Sequence, residues 1–146
     1  MKDGAFLNEW IVGYWIFTGG FRCRRRIHDD CSKALLPEPA PLLPDVVLPE
    51  LAYMVLRELG YSVLTDFLRS IHKGELTIAR TNLDDLVRTS EILEKYADDQ
   101  VDFVDCAIAA MAERLNIQRI LTVDHRHFRI FRPKHCKYFI IIPESI

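Results

Sequence analysis

Two aspartates at the start of a predicted helix are the residues of this 146-residue chain best suited to chemistry. Asp102 and Asp105 stand three positions apart in the stretch Val101–Ala110, so their side chains lie on neighbouring parts of one helix face. The helix dipole favours acids there, and an N-cap explains Asp102 equally well. Asp105 lies a turn further in, where capping no longer accounts for a carboxylate, and is the stronger candidate for a functional acid.

Two further acids each follow a short apolar run that is typical of a strand. Asp124 ends the run Ile120–Val123, and Glu50 follows Val46–Leu48 in the first turn of another predicted helix. Taken singly, each has an ordinary explanation, as a turn residue or as a glutamate favoured by the helix dipole. Ligands of open α/β sheets bind beyond the carboxyl ends of the strands. Because both acids follow a predicted strand, we expect them to lie close together at that edge of the sheet.

A group of carboxylates implies a cation, because packed carboxylates repel each other and raise one another's pKa unless a cation neutralises them. Oxygen ligands together with water suit Mg²⁺ or Mn²⁺ better than softer metals. Such ions neutralise phosphoryl oxygens and activate water for attack. The chemistry predicted from the acids is hydrolysis of a phosphodiester.

Apolar runs of strand length alternate with helical patterns, which predicts an α/β fold with a central, mostly parallel sheet flanked by helices. With 49% hydrophobic residues, the chain is long enough for one core and too short for two ordinary domains, so residues 1–146 are expected to form a single domain. Proline has no N–H to donate, so the prolines of 37–44 predict a surface loop. The predicted strands are Trp10–Phe17, Asp45–Leu48, Glu75–Ile78, Arg119–Val123 and Tyr138–Ile142, and the predicted helices cover about 24–36, 49–59, 61–72, 81–96 and 101–115.

The composition argues against several classes of protein. A formal net charge of −2 does not indicate nucleic-acid binding, so any such contact must come from a local patch. The four cysteines include no close pair, which argues against a zinc site and fits reduced thiols in the cytoplasm, with Cys106 as a small buried hydrophobe. The apolar stretch Asn8–Phe21 precedes its arginines, the reverse of a signal peptide, and is too polar to span a membrane.

The acids and their surroundings resemble the PIN-domain ribonucleases, particularly the VapC-type toxins of bacterial toxin–antitoxin pairs, from about Ile27 to the C-terminus. The resemblance implies a PIN fold, Mg²⁺- or Mn²⁺-dependent cleavage of RNA, a cognate small antitoxin and a homodimer. It also implies that Glu50, Asp105 and Asp124 are the second, third and fourth catalytic acids and metal ligands of the family. Asp102 would be an auxiliary metal ligand. The motifs that carry the resemblance are Leu48–Leu56, Asp102–Ala110 and Leu121–Phe128.

The first acid of the family, an aspartate that closes the opening strand, has no counterpart in this chain. The matching position falls near Gly13, and no acid lies between Trp10 and Arg26, so residues 1–26 form a divergent N-terminal segment. One alternative function is therefore a catalytically impaired PIN-like module that binds a partner or RNA. A frameshift is a further hypothesis, because Gly13–Thr18 can be encoded so that the adjacent frame reads Asp-Thr-Gly-Phe-Leu, the opening expected of the family.

Basic side chains near the acids are the candidates for contact with substrate. Arg126 flanks Asp124, and the run that contains Arg22 and Arg24 could touch an RNA backbone, although a solvated face is its simpler explanation. His127 is expected to be a packing or turn residue, and no catalytic histidine is assigned because metal-activated water needs none. The apolar helices Leu51–Leu59 and Tyr61–Ile71 offer a possible groove for the antitoxin.

Overall fold

The computed structural model describes residues 10–12, 42–74, 76–122 and 125–142. Predicted strand residues 13–17 and the predicted helix 24–36 lie outside these ranges. No helix in the described part of the chain is both long and apolar enough to cross a membrane. The elements are, in order, β1 (Trp10–Val12), β2 (Leu42–Pro44), α1 (Leu48–Leu59), α2 (Tyr61–His72), β3 (Thr77–Ala79), α3 (Leu83–Lys95), α4 (Phe103–Leu115), β4 (Arg119–Leu121), α5 (His125–Ile130) and β5 (Ile140–Ile142).

The five strands form one sheet in the order β3-β2-β1-β4-β5, and every pair is parallel. The predicted α/β class with a parallel sheet is therefore confirmed. The strand order reverses at β1, where β2 lies on one side and β4 on the other. The register pairs Ile11 with Leu42 and with Ile120. Such a reversal opens a crevice beyond the carboxyl ends of the central strands, which is the usual ligand position in sheets of this kind.

The second strand begins earlier than the sequence pattern indicates. The prediction placed a loop over 37–44 and a strand at Asp45–Leu48, but Leu42–Pro44 pairs with both β1 and β3. Residues Asp45–Val47 form a 3-10 turn that leads into α1. A short apolar run reads alike as a strand or as a first helical turn, which explains the error. Pro44 is tolerated in the strand because it is the last residue, where the ladder ends.

Helix α4 is the centre of the core. Every residue from Asp105 to Ala112 is buried, and four of these eight are alanines. Small side chains let neighbouring elements approach this helix closely from several sides. The helix ends at Asn116 in the left-handed conformation (φ 56°), which asparagine adopts more readily than most residues.

Helix α3 packs against α4 with polar side chains on its inner face. The sequence pattern predicts that Leu86, Val87, Ile92 and Leu93 face inward, but Leu86 and Val87 are 44% and 61% exposed. Asp85 and Thr89 take their place and are 2% and 1% exposed. Polar residues tolerate burial when they are hydrogen-bonded, and both are. Thr89 donates its hydroxyl to the Asp85 carbonyl at 2.6 Å.

The Asp85 carboxylate joins three segments. It accepts a hydrogen bond from the backbone N–H of Asn82 at 2.9 Å, while the Asn82 side chain accepts from the N–H of Asp85 in a reciprocal capping box. The guanidinium of Arg114, near the end of α4, donates to the same carboxylate at 2.8 and 3.0 Å. A second Arg114 nitrogen reaches the carbonyl of Arg80, just after β3. One buried acid therefore fixes the start of α3 against α4.

A second ion pair ties the same two helices to the segment after α5. Arg88 donates twice to Glu113, at 2.7 and 3.0 Å, and the backbone N–H of Lys134 donates to Glu113 at 2.9 Å. Burial raises the pKa of Glu113, but the bonds from Arg88 and Lys134 outweigh it and the net shift is downward. A lowered pKa means that the pair stabilises the fold above about pH 4.5 and loses that contribution as the pH falls through the lowered value.

The segment after β4 is helical, whereas the sequence predicted a polar turn. Helix α5 buries His127 and Phe128, and Phe131 follows directly after it. Phe128 makes edge contacts with Phe131 and Phe139 at centroid distances of 5.6 and 6.0 Å. Tyr96 adds a further edge contact with Phe131 at 5.2 Å. This aromatic cluster (Tyr96, Phe128, Phe131, Phe139) anchors α5 beside the sheet.

Replacing Asp85 with alanine should lower the free energy of unfolding by about 2 kcal/mol, because a cap is lost and Arg114 loses its partner. The estimate is modest because the Arg114 side chain is 33% exposed and water replaces part of the interaction. Asp84→Ala is the matched control, since Asp84 is an exposed acid in the same first turn, and it should change stability by less than about 0.5 kcal/mol. Urea denaturation measures both variants, and equal losses would contradict the role assigned to Asp85.

Candidate functional site

The start of α4 carries the first carboxylate of the site. Asp102 is the N-cap of the helix, and its Oδ1 accepts a hydrogen bond from the backbone N–H of Asp105 at 2.8 Å. The cap that the sequence offered as an alternative is therefore present. Capping occupies one carboxylate oxygen and leaves the side chain exposed to solvent. Asp102 thus caps the helix and also places a carboxylate on the solvent-exposed side of its N-terminus.

Asp105 lies one turn further along α4 and is fully buried, at 0% exposure. Its Oδ2 is 2.7 Å from Nδ1 of His127, which is itself only 7% exposed on α5. A buried carboxylate is costly unless hydrogen bonds or a charge compensate it. The imidazole supplies part of that compensation from an element 22 residues away along the chain.

Asp102, Asp105 and His127 form a cluster with the dimensions of a metal site. Each can contribute one ligand atom such that all three atoms lie within 4.8 Å of one another. Ligands of a six-coordinate Mg²⁺ or Mn²⁺ stand about 3 to 4 Å apart, given metal–oxygen distances of about 2.1 Å. Two carboxylates and an imidazole also suit these ions chemically, Mn²⁺ more than Mg²⁺ where nitrogen takes part. The residues present therefore fit a divalent cation.

Cys106 adjoins this cluster and is 0% exposed. Burial raises the pKa of its thiol to about 12, and the negative charges of Asp102 and Asp105 add to the rise. A protonated thiol is a poor metal ligand. The predicted role of Cys106 as a small buried hydrophobe is consistent with this environment.

The remaining predicted site residues are placed as follows. Glu50 is exposed in the first turn of α1 and is not part of the group that the described residues form around Asp105. Arg126 is exposed on α5, next to His127. Asp124, Arg22, Arg24 and the position of the missing first acid at Gly13 lie outside the described residues, so their roles stay predictions.

His127 is the residue of the site that sequence reasoning assigned to packing. It is indeed buried, but it also contacts the most buried acid of the chain's described part. The sequence does contain a signal for this role. In the polar run His125-Arg-His-Phe128, His127 directly precedes a large aromatic residue that is expected to be buried. The helical conformation of this run, which the sequence did not predict, turns His127 toward α4 while Arg126 stays exposed.

Another acid, Asp45, lies at the carboxyl end of β2 and has a structural partner. Its carboxylate accepts hydrogen bonds from the backbone N–H of Thr81 at 3.0 and 3.1 Å and from the Thr81 hydroxyl at 2.5 Å. These bonds link the segment after β2 to the segment after β3. Asp45 is therefore explained by the fold, whereas Asp105 contacts a histidine within a group that fits a cation.

Comparisons with known proteins agree with this architecture. A family model described as PIN domain matches residues 16–132, which begins earlier than the resemblance expected from Ile27. Ribonuclease VapC26 of Mycobacterium tuberculosis is 30% identical over 97 residues, which cover 66% of this chain and 72% of that protein. The crystal structure of M. tuberculosis VapC20, described as a sarcin-ricin loop cleaving toxin, matches with a TM-score of 0.67 at 17% identity, covering 80% of this chain and 90% of that one.

The family model covers most of the chain. The chain therefore belongs to the PIN domain family, in its VapC-type group.

Proposed function

We infer that this protein is a Mg²⁺- or Mn²⁺-dependent endoribonuclease and the toxin of a toxin–antitoxin pair. The observation that carries the proposal is the cluster of two carboxylates, Asp102 and Asp105, with His127, in which one oxygen or nitrogen atom of each residue lies within 4.8 Å of the others. The relative VapC26 is named a ribonuclease, and the group described here supplies the carboxylates that such chemistry needs.

The two acids of the cluster have separate tasks in this proposal. Asp105 gives the site a fixed negative charge, because it is fully buried and cannot turn away into solvent. Asp102 adds a second charge at the exposed side, where an ion and substrate would enter. When bound, the cation would neutralise the scissile phosphate and activate water for attack.

The other predicted residues complete the proposal. Glu50, in the first turn of the helix that follows β2, and Asp124, which follows β4 in sequence, would add charge at the same edge of the sheet. Arg126, on the same helix as His127 and exposed, would hold a substrate phosphate, with a weaker contribution from Arg22 and Arg24. The position of Asp102 beside Asp105 favours an enzyme over a module that only binds, because it supplies a second carboxylate although the first acid of the family is missing.

Cleavage of a mixed RNA substrate tests the activity. The wild-type protein should cut RNA with Mn²⁺ or Mg²⁺ and stop with EDTA, and Asp105→Asn should lower the rate at least about 100-fold while keeping the side-chain volume. Asp99→Asn, in the exposed turn after α3, is the matched control and should cut like the wild type. Well-folded protein that cuts RNA with neither ion would instead establish the impaired, binding-only module.

Thermal unfolding tests the ion without any substrate. Mn²⁺ at about 100 times its dissociation constant should stabilise the wild-type protein by about 2.7 kcal/mol, since it binds only the folded state. Asp105→Asn should lose most of that gain, whereas Asp99→Asn should keep it. An equal rise in melting temperature for all three proteins would mean that the ion binds elsewhere.

Two exposed apolar surfaces support the proposed partners. Helix α2 has no buried residue, and the α1–α2 surface exposes Tyr53, Leu59, Tyr61, Val63 and Leu68. We assign this surface to the antitoxin, whose amphipathic segment would cover it.

On α3, Leu83, Leu86 and Val87 stand at helical spacing and are 80%, 44% and 61% exposed. This stripe suits a homodimer, in which a two-fold axis would pair it with its own copy. The expected compartment is the cytoplasm, where RNA and reduced cysteines occur together.

The assignment of the dimer to α3 can be tested by charge. Replacing Leu83 and Val87 together with glutamate should convert a dimer into a monomer in light scattering coupled to size exclusion, because two like charges would meet across the axis. The matched control carries glutamate at Val63 and Leu68 on α2 and should stay dimeric. A monomeric control together with a dimeric α3 variant would move the dimer surface to α2.

A further inference from the structure

We propose that His127 is a positioning residue that holds the Asp105 carboxylate in the orientation required for the cation, and that it does so as a hydrogen-bond donor and not as a metal ligand. This inference rests on the proposed function, because it concerns the ion on which that activity depends. It assigns a task to the histidine that the sequence left as a packing residue.

The contact itself defines the role. Nδ1 of His127 and Oδ2 of Asp105 are 2.7 Å apart, within the range of a charge-assisted hydrogen bond. A carboxylate that holds a cation is ionised and only accepts hydrogen bonds, so in the proposed site Nδ1 carries the proton of this contact. A nitrogen that carries a proton has no lone pair to give to a metal. With this contact in place, His127 therefore cannot ligate an ion through Nδ1.

The position of the imidazole is fixed by its surroundings. Phe128, the next residue, contacts Phe131 and Phe139, and Phe131 contacts Tyr96 from the far end of α3. These contacts hold α5 in place, and His127 is only 7% exposed. The backbone of α5 is therefore fixed, and burial leaves the imidazole little room to change its orientation. The donor is rigid, as positioning of a neighbour requires.

The hydrogen bond between Asp102 and Asp105 does not set the orientation of the Asp105 carboxylate. Asp102 binds the backbone N–H of Asp105, which fixes the main chain and not the carboxylate. Two rotatable bonds separate that carboxylate from the helix. A donor from α5 is therefore suited to select one orientation, as groups that hydrogen-bond to metal ligands commonly do.

Substituting asparagine or glutamine for His127 tests whether a hydrogen-bond donor is needed at the place of Nδ1 or whether any polar side chain is enough. The amide nitrogen of asparagine lies close to the place of Nδ1, whereas that of glutamine lies near Nε2. His127→Asn should keep Mn²⁺ affinity, measured by titration calorimetry, within about 3-fold of the wild type. His127→Gln and His127→Leu should weaken it about 10- to 100-fold, with a matching loss in single-turnover cleavage. The ratio of Mn²⁺ to Mg²⁺ affinity should stay constant in all variants, because the imidazole is not a ligand.

Several results would overturn the inference. If the Asn and Gln variants have the same melting temperature and lose Mn²⁺ affinity equally, a hydrogen-bond donor at the place of Nδ1 has no role. If the ratio of Mn²⁺ to Mg²⁺ affinity falls when the imidazole is removed, His127 is a direct ligand. The contrast between Asn and Gln remains decisive even if the leucine variant does not fold.

A measurement without metal separates this inference from the proposed function. In the metal-free protein, proton NMR should show a downfield Nδ1–H signal of His127 that disappears in His127→Gln and shifts in Asp105→Asn. If that signal is present but the wild-type protein neither binds Mn²⁺ nor cuts RNA, the hydrogen bond stands and the proposed nuclease function fails. Absence of the signal overturns the proposed donor, whatever the activity.

Discussion

A buried carboxylate in a buried helix is the constraint on which the rest of the structure depends. Asp105 opens a run of eight residues in α4 that are buried without interruption, and its charge must be compensated where water cannot reach it. Part of the compensation comes from His127 at 2.7 Å, and this contact depends on α5 being helical and anchored by aromatic contacts.

Most of the fold follows from sequence patterns that have a single physical interpretation. The alternation of apolar runs and helical periods predicted the parallel sheet, and Gly60, with φ at 85°, separates α1 from α2 where a helix stop was expected. The strand at Leu42–Pro44 was missed because proline usually marks a loop. The inner face of α3 was missed because Asp85 and Thr89 are polar by type. Their burial depends on Arg114 and on a backbone carbonyl, which no local pattern reveals.

Within the candidate site, the proximity of Asp102 and Asp105 was predictable from the sequence, whereas the contact of Asp105 with His127 was not. Asp102 and Asp105 share one short stretch, so their spacing alone brought them together. His127 and Asp105 are 22 residues apart, and their contact depends on how α5 folds back after β4. The same limit applies to the exposed apolar residues of α2 and α3. Periodicity shows that a helix has an apolar face, but only the packed structure shows whether the domain itself covers that face.

The burial of Cys106 has a consequence for which metals the cluster can select. With its pKa at about 12, the thiol stays protonated at physiological pH, although it adjoins Asp102 and Asp105 in sequence. A thiolate at this position would attract soft ions such as Zn²⁺ or Cu⁺, which bind sulfur in preference to oxygen. In the metal-free protein the sulfur is neutral, so in the proposed site the carboxylate oxygens of Asp102 and Asp105 would be the charged ligands, and these favour hard ions. The same burial protects the thiol from oxidation, since oxidants attack the thiolate form.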